Sequence, residues 1–175
     1  MSMIEIRKVS IINAGCDCIV NAANSSLQGG AGVCGAIFKA AGWNKLQAAC
    51  DKYGHCNTGK AVITPAFAIA AKYIIHAVGP IYHDGHPHEP QLLYSCYQSS
   101  LDLAKENDCH SIAFPLISAG IYGYPKDQAW RKALQACRDW ITSNADYDIN
   151  IVFAVLDDSV LAMGREELAR QEAEE

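Results

Sequence analysis

The sequence predicts an α/β protein with helices on both faces of a largely parallel sheet. Three observations carry this. Continuous β-rich runs such as Tyr-Ile-Ile-His-Ala-Val at residues 73–78 have the composition of strands buried on both faces. They alternate with segments whose apolar residues recur at helical period, the order that builds parallel sheets. Two small-residue loops, at 29–32 and 116–125, leave strands and lead into helices, which puts them at the rim where such sheets bind ligands.

Residues 4–9 alternate as a first strand, and Ser10, Ile11 and Ile12 continue it towards a turn at Asn13-Ala14-Gly15. A second, buried strand starts at Cys18 and runs into Asn21 and Asn24. Val33, Ile37, Phe38 and Ala41 form one apolar stripe, so a helix is expected over 32–41, closed by Gly42. Leu46, Ala49, Cys50 and Tyr53 mark a second helix over 44–53. Residues 61–64 and 73–78 read as buried strands. Residues 91–107 read as a long helix through Leu92, Cys96, Leu101 and Leu103, and 111–115 as another buried strand. A helix follows from Lys126 to about Ser143, then an apolar strand over 149–156. Asp157, Asp158 and Ser159 cap a final helix whose tail, 172–175, is expected to fray.

The 175 residues are half apolar and can bury one good core, so a single domain over 1–175 is expected, as a monomer. The net charge of −5 argues against a broad electrostatic grip on nucleic acid, and no stable nucleic-acid binding is expected. No apolar run approaches the roughly eighteen residues that cross a membrane, and the polar N-terminus lacks a signal-peptide pattern; a cytoplasmic location is expected. Eight cysteines lie singly in apolar or helical segments, the pattern of reduced core thiols. His83, His86 and His88 share a Pro/Gly loop and read either as metal ligands or as solvated side chains; no metal and no cofactor is expected.

The loop at 29–32 carries the chemistry. A strand, a glycine-rich loop and a helix N-terminus make an anion cradle, because unpaired N–H groups and the positive end of the helix dipole point the same way. By itself the loop fits a phosphate site or a tight turn equally well, since its spacing matches neither common phosphate motif. The second loop, at the same rim, favours a diphosphate.

The segments Ile-Val-Asn-Ala-Ala-Asn, Gly-Gly-Ala-Gly-Val-Cys-Gly-Ala-Ile, Thr-Gly-Lys-Ala-Val-Ile-Thr, Ile-His-Ala-Val-Gly-Pro and Ile-Ala-Phe-Pro-Leu-Ile-Ser-Ala-Gly-Ile-Tyr-Gly-Tyr-Pro together resemble the macro domain family. The match runs from about residue 4 to 168. The resemblance implies a three-layer α/β/α sandwich around a mixed, mostly parallel sheet of about six strands, with a rim cleft for ADP-ribose. It places Gly30, Ala31, Gly32 and Val33 along the diphosphate and the ribose distal to adenine, facing Ser118, Ala119, Gly120, Ile121 and Tyr122, and counts Ala22 among the substrate-binding residues. The amides of those last five would hold phosphate oxygens, and the Tyr122 ring would pack near the ribose. Asn24 would orient that ribose beside the bond that is cut; on the residues alone it reads equally as an asparagine fixing the turn. Asn21 and His76 are assigned to structure.

The pattern departs from the family at three positions. Val9-Ser10-Ile11 stands where Gly-Asp-Ile is usual, so Ser10 replaces the carboxylate that accepts from adenine. Leu156 replaces an aromatic at the same end. Cys34 occupies the place of an aspartate that helps position water in many hydrolytic members. It reads either as a small spacer or as a thiol nucleophile activated by the helix N-terminus. The implied function is binding of ADP-ribose or an ADP-ribosylated protein, with water attacking the ester to an acidic side chain or to acetate and the substrate's own phosphate as base. A non-catalytic module for ADP-ribose or a related nucleotide is the alternative.

Overall fold

The computed structural model describes residues 1–84 and 87–174; His86 of the histidine loop and Glu175 of the tail lie outside them. Strands β1 (Met3–Lys8), β2 (Cys18–Ala23), β3 (Ala61–Pro65), β4 (Tyr73–Val78), β5 (Ser111–Phe114) and β6 (Asn150–Val155) form one sheet in the order β1-β6-β5-β2-β4-β3. All neighbours are parallel except β3 and β4. Helices α1 (Gly32–Ala41) and α2 (Trp43–Asp51) cover one face, and α3 (Glu89–Glu106), α4 (Lys126–Ser143) and α5 (Asp158–Ala173) the other. This is the expected mixed α/β sandwich.

Alternation along the strands divides the core. Cys18 and Val20 of β2 pack with Tyr97, Trp130 and Phe153, while Ile19 and Ala23 pack with Ile37, Phe38 and Leu46. The division places the site. Neighbouring strands β2 and β5 send their chains to opposite faces, β2 to α1 and β5 to α4, so a crevice opens beyond their carboxyl ends.

Several expectations need correction. Residues 61–64 do not form a buried strand: they lie in β3, an antiparallel edge strand whose Ala61, Val62 and Ile63 are only partly buried. The connection to β4 is too short for a parallel crossover, which takes a dozen residues or more, and Pro65 closes the strand where no ladder donor is needed. Residues 11–13 form a 3₁₀ turn instead of extending β1; the Asn13 amide donates to Ser10 O at 2.9 Å. Tyr53 lies beyond α2 and is exposed, its hydroxyl donating to Ile63 O at 2.6 Å. In α3 the buried stripe runs through Leu93, Tyr97, Ser100 and Ala104, leaving Leu92 and Leu103 at its margins. Helix α5 holds to Ala173, so Glu172 is helical. Its cap is as expected, with Asp157 Oδ1 accepting from the amides of Ser159 and Val160. All eight cysteines are buried free thiols.

Candidate functional site

Beyond β2 the chain turns on Asn24. Its Oδ1 accepts from the Gln28 amide at 3.0 Å and the Ser26 hydroxyl at 2.9 Å, and its Nδ2 donates to Gln28 O at 2.9 Å. One Nδ2 hydrogen is left over, since an amide nitrogen carries two. The next residues are held from α2: Gln47 accepts from the Gly29 amide and donates to Leu27 O and to Asp51. The loop is therefore braced before any ligand arrives.

Helix α1 begins with Gly32 in left-handed backbone (φ +62°), and its first internal bond is Gly35 N to Ala31 O at 3.3 Å. The amides of Gly32, Val33 and Cys34 precede that bond and have no intrahelical acceptor. Among the described residues no side chain caps them. The first turn folds tightly against the loop: a Cβ at Gly35 would collide with the carbonyl oxygen of Gly30.

The second loop is pinned at Ser118, a non-glycine residue with φ +69° whose buried hydroxyl donates to Pro80 O at 2.7 Å. Ala119 spends its amide on Leu116 O at 3.3 Å, and Gly123 its amide on Gly120 O. The amides of Ser118, Gly120, Ile121 and Tyr122 have no acceptor among the described residues. Successive free amides on both sides of a crevice suit an anion with several oxygens.

Between the loops lies a central cavity of about 340 Å³. A second cavity, of about 480 Å³, adjoins it on the β6 side; Gly32, Val33, Pro115, Leu116 and Gly120 wall both. Ala22, Asn24, Gly30, Ala31, Cys34, Ser118, Ile121 and Tyr122 line the central cavity, and Ser10, Ile11, Ala119 and Leu156 the β6-side one. Every site residue read from the sequence thus borders one continuous cleft. Val33, expected on the core stripe of α1, is instead exposed at its lip, as are Ile121 and Leu156.

Sequence reasoning missed Gly79 and the 115–117 segment in the central cavity and Lys126 and Asp157 in the β6-side one. Asp157 read only as a helix cap. Its carboxyl is held below the usual range by bonds from the Ser159 hydroxyl and the Val160 and Ser159 amides, so it stays ionised at the cleft wall. The Ser10 hydroxyl makes no capping bond.

Behind the central cavity runs a buried polar chain. Asn21 Nδ2 donates to Cys34 Sγ at 3.6 Å and lies 3.1 Å from His76 Nδ1; His76 Nε2 lies 3.0 Å from Thr64 Oγ1. Thr64 in turn donates to Pro65 O. This order assigns the ring proton to Nε2 and leaves His76 neutral. Among the described residues the Cys34 thiol bonds to Asn21 and to Gln28 O, and neither is a base. Burial lowers the His76 pKa to about 4 from its ordinary 6.5.

The unfolded chain therefore takes up a proton as pH falls through 6.5, while the folded chain refuses it until about pH 4. Stability from this group is complete above pH 6.5 and declines across that window, by about 3 kcal/mol in all. Urea titrations at pH 7 and 4.5 should show the loss, and His76→Gln should flatten it. Parallel losses in parent and variant would acquit His76.

Comparison with known proteins gives the same picture. A family model described as the Macro domain matches residues 20–133. The chain is 53% identical over 130 residues to an O-acetyl-ADP-ribose deacetylase from Cronobacter turicensis, covering 72% of this chain and 73% of that one. It is 50% identical over 141 residues to the ADP-ribose glycohydrolase MACROD2 of Xenopus laevis, covering 79% of this chain and 33% of that protein. Among solved structures, the Oceanobacillus iheyensis macrodomain with ADP superposes with a TM-score of 0.93 at 34% identity, covering 98% of this chain and 93% of that one.

Proposed function

The chain belongs to the macro domain family, and from that premise we propose that its rim cleft binds ADP-ribose and hydrolyses the ester joining ADP-ribose to an acidic protein side chain or to acetate. The observation that carries this reading is the pair of braced loops with free amides facing one cavity, with Asn24 at its wall. The base occupies the β6-side cavity, against Ile11 and Leu156. The diphosphate lies between the amides of Gly32, Val33 and Cys34 and those of Ser118, Gly120, Ile121 and Tyr122. These donors are fixed before binding, so they meet developing negative charge without reorganising.

The spare Nδ2 hydrogen of Asn24 orients a hydroxyl of the distal ribose. Bending the diphosphate across the two loops brings one of its oxygens beside the water that attacks. Water adds at the ester and its proton goes to the phosphate oxygen; the ester C–O bond then breaks, and the phosphate returns that proton to the departing oxygen, releasing ADP-ribose and the carboxylic acid. Cys34 acts here as a spacer: its thiol is buried, is occupied by Asn21 and, among the described residues, has no base in hydrogen-bond contact. Cys34→Ser is accordingly expected to leave kcat and KM unchanged within error. Complete loss of turnover with intact ADP-ribose binding would make the thiol a nucleophile.

A binding module with little turnover is the second reading, favoured by the same cysteine, which supplies no carboxylate to position water. Calorimetric titration with ADP-ribose, AMP and a pyrimidine diphosphate sugar tests the shared premise. ADP-ribose is expected to bind, the others weakly or not at all, and ester hydrolysis then separates the two readings. A preference for another nucleotide would overturn both.

Ser10 sets the strength of base recognition. Its hydroxyl, which makes no capping bond, offers the base a neutral hydrogen bond where a carboxylate would offer a charged one, a difference worth about tenfold in affinity. Ser10→Asp is expected to tighten ADP-ribose binding by that factor, with hydrolysis of bound substrate unchanged. Weaker binding by the variant would move the base elsewhere.

A further inference from the structure

The cleft continues past Tyr122. A third depression of about 480 Å³ shares Gly79 and Tyr122 with the central cavity and no wall residue with the β6-side cavity. The three depressions thus follow one another along the rim, with the central cavity in the middle. For a ligand with its base on the β6 side and its diphosphate and distal ribose in the centre, the third depression, the β4-side groove, adjoins the ribose end of the cleft away from the base.

The walls of that groove are held in place. Glu89, almost wholly buried at the start of α3, accepts from the His83 amide through both carboxylate oxygens, at 3.0 and 2.8 Å. The Tyr82 amide donates to Tyr122 O at 2.9 Å, tying the same segment to the second phosphate loop. Across the groove, Gly59 donates to Val78 O and accepts from Ser95, which fixes the turn carrying Thr58. On these walls the exposed Ile81 (52% accessible) and the hydroxyls of Ser25 and Thr58 remain open to a partner. With His83 and His88, which also line it, such a surface offers apolar contact and several hydrogen-bonding side chains, which suits a polypeptide segment. An acetyl group is too small to reach it from the ribose.

We propose that the β4-side groove seats the polypeptide segment on either side of the ADP-ribosylated acidic residue. The inference rests on the reading of the cleft given above and adds to it the place where the polypeptide is held. The groove supplies affinity for modified protein that free ADP-ribose and acetyl-ADP-ribose do not draw on. It also places Tyr122 at the junction between nucleotide and peptide.

Calorimetry with ADP-ribose and with a short peptide carrying ADP-ribose through a hydrolysis-resistant amide in place of the ester tests this without requiring turnover. The parent protein is expected to bind the conjugate about tenfold more tightly than ADP-ribose. Thr58→Trp, which fills the groove, should abolish that preference and leave the ADP-ribose affinity unchanged. Ile81→Lys, at an exposed position, is the second variant and should act in the same direction. Equal affinity of the parent for both ligands would overturn the groove while leaving the nucleotide cleft intact, as would an undiminished preference in both variants. Failure of the parent to bind ADP-ribose at all would overturn the reading of the cleft, and the groove with it.

Discussion

Asn24→Ala is expected to cut kcat for ester hydrolysis by about 10²–10³-fold, the usual cost of losing one preorganised donor at a reacting centre. ADP-ribose affinity should fall much less, because the diphosphate is held by amides that Asn24 does not touch. The structure adds a complication and its remedy. Asn24 also braces its own loop through Gln28 and Ser26, so an alanine effect by itself does not separate chemistry from architecture. Asn24→Asp keeps the oxygen that accepts from Gln28 and Ser26 but loses both amide hydrogens, the one that braces Gln28 O included. If Asn24 served only as a brace, ADP-ribose affinity and turnover would fall together in both variants. Single-turnover rates alongside ADP-ribose titrations for both variants decide the matter, and an alanine variant as fast as the parent would remove Asn24 from the mechanism.

Gly35→Ala should damage the site from a position outside it. The methyl group would drive into the Gly30 carbonyl oxygen, which is backbone and has no rotamer to retreat to. Either α1 shifts or the 29–32 loop does, at about 1–3 kcal/mol of stability, the range for overpacking. Both movements carry the amides of Gly32 and Val33 away from the anion, so ADP-ribose binding is expected to weaken at least about tenfold. Urea unfolding and calorimetry on the same preparation check the two effects. A variant that loses stability but binds normally would mean that the first loop's amides do not hold the diphosphate.

Most of the fold was legible because its signals are local. Helical period marked α1 through Ile37, Phe38 and Ala41, and β-rich composition marked β4, with no knowledge of their neighbours. The errors fall where a contact distant in sequence overrides local pattern. Residues 61–64 have the composition of a buried strand, but a short connection forces them antiparallel at the sheet edge, where one flank stays open. Tyr53 continues the apolar side of α2 by spacing, yet the helix has already ended and the ring is drawn to the carbonyl of Ile63. Val33 fits the core stripe of α1 by period and lies at the cleft lip because its turn is the one that faces the crevice.

The sequence by itself determined the α/β class, the two glycine-containing loops at one rim, and the family that the chain belongs to. These follow from residue types at short spacings, which act through backbone propensity and glycine's freedom wherever the chain goes. Only the tertiary structure decided which amides stay free, that Ala119 spends its own on Leu116, and that Gln47 and Pro80 brace the loops from elsewhere. It alone placed the Cys34 thiol against Asn21 and lined up three depressions along the rim. The reason is physical: a donor's availability and a cavity's order depend on partners brought from far along the chain, and no local pattern records them.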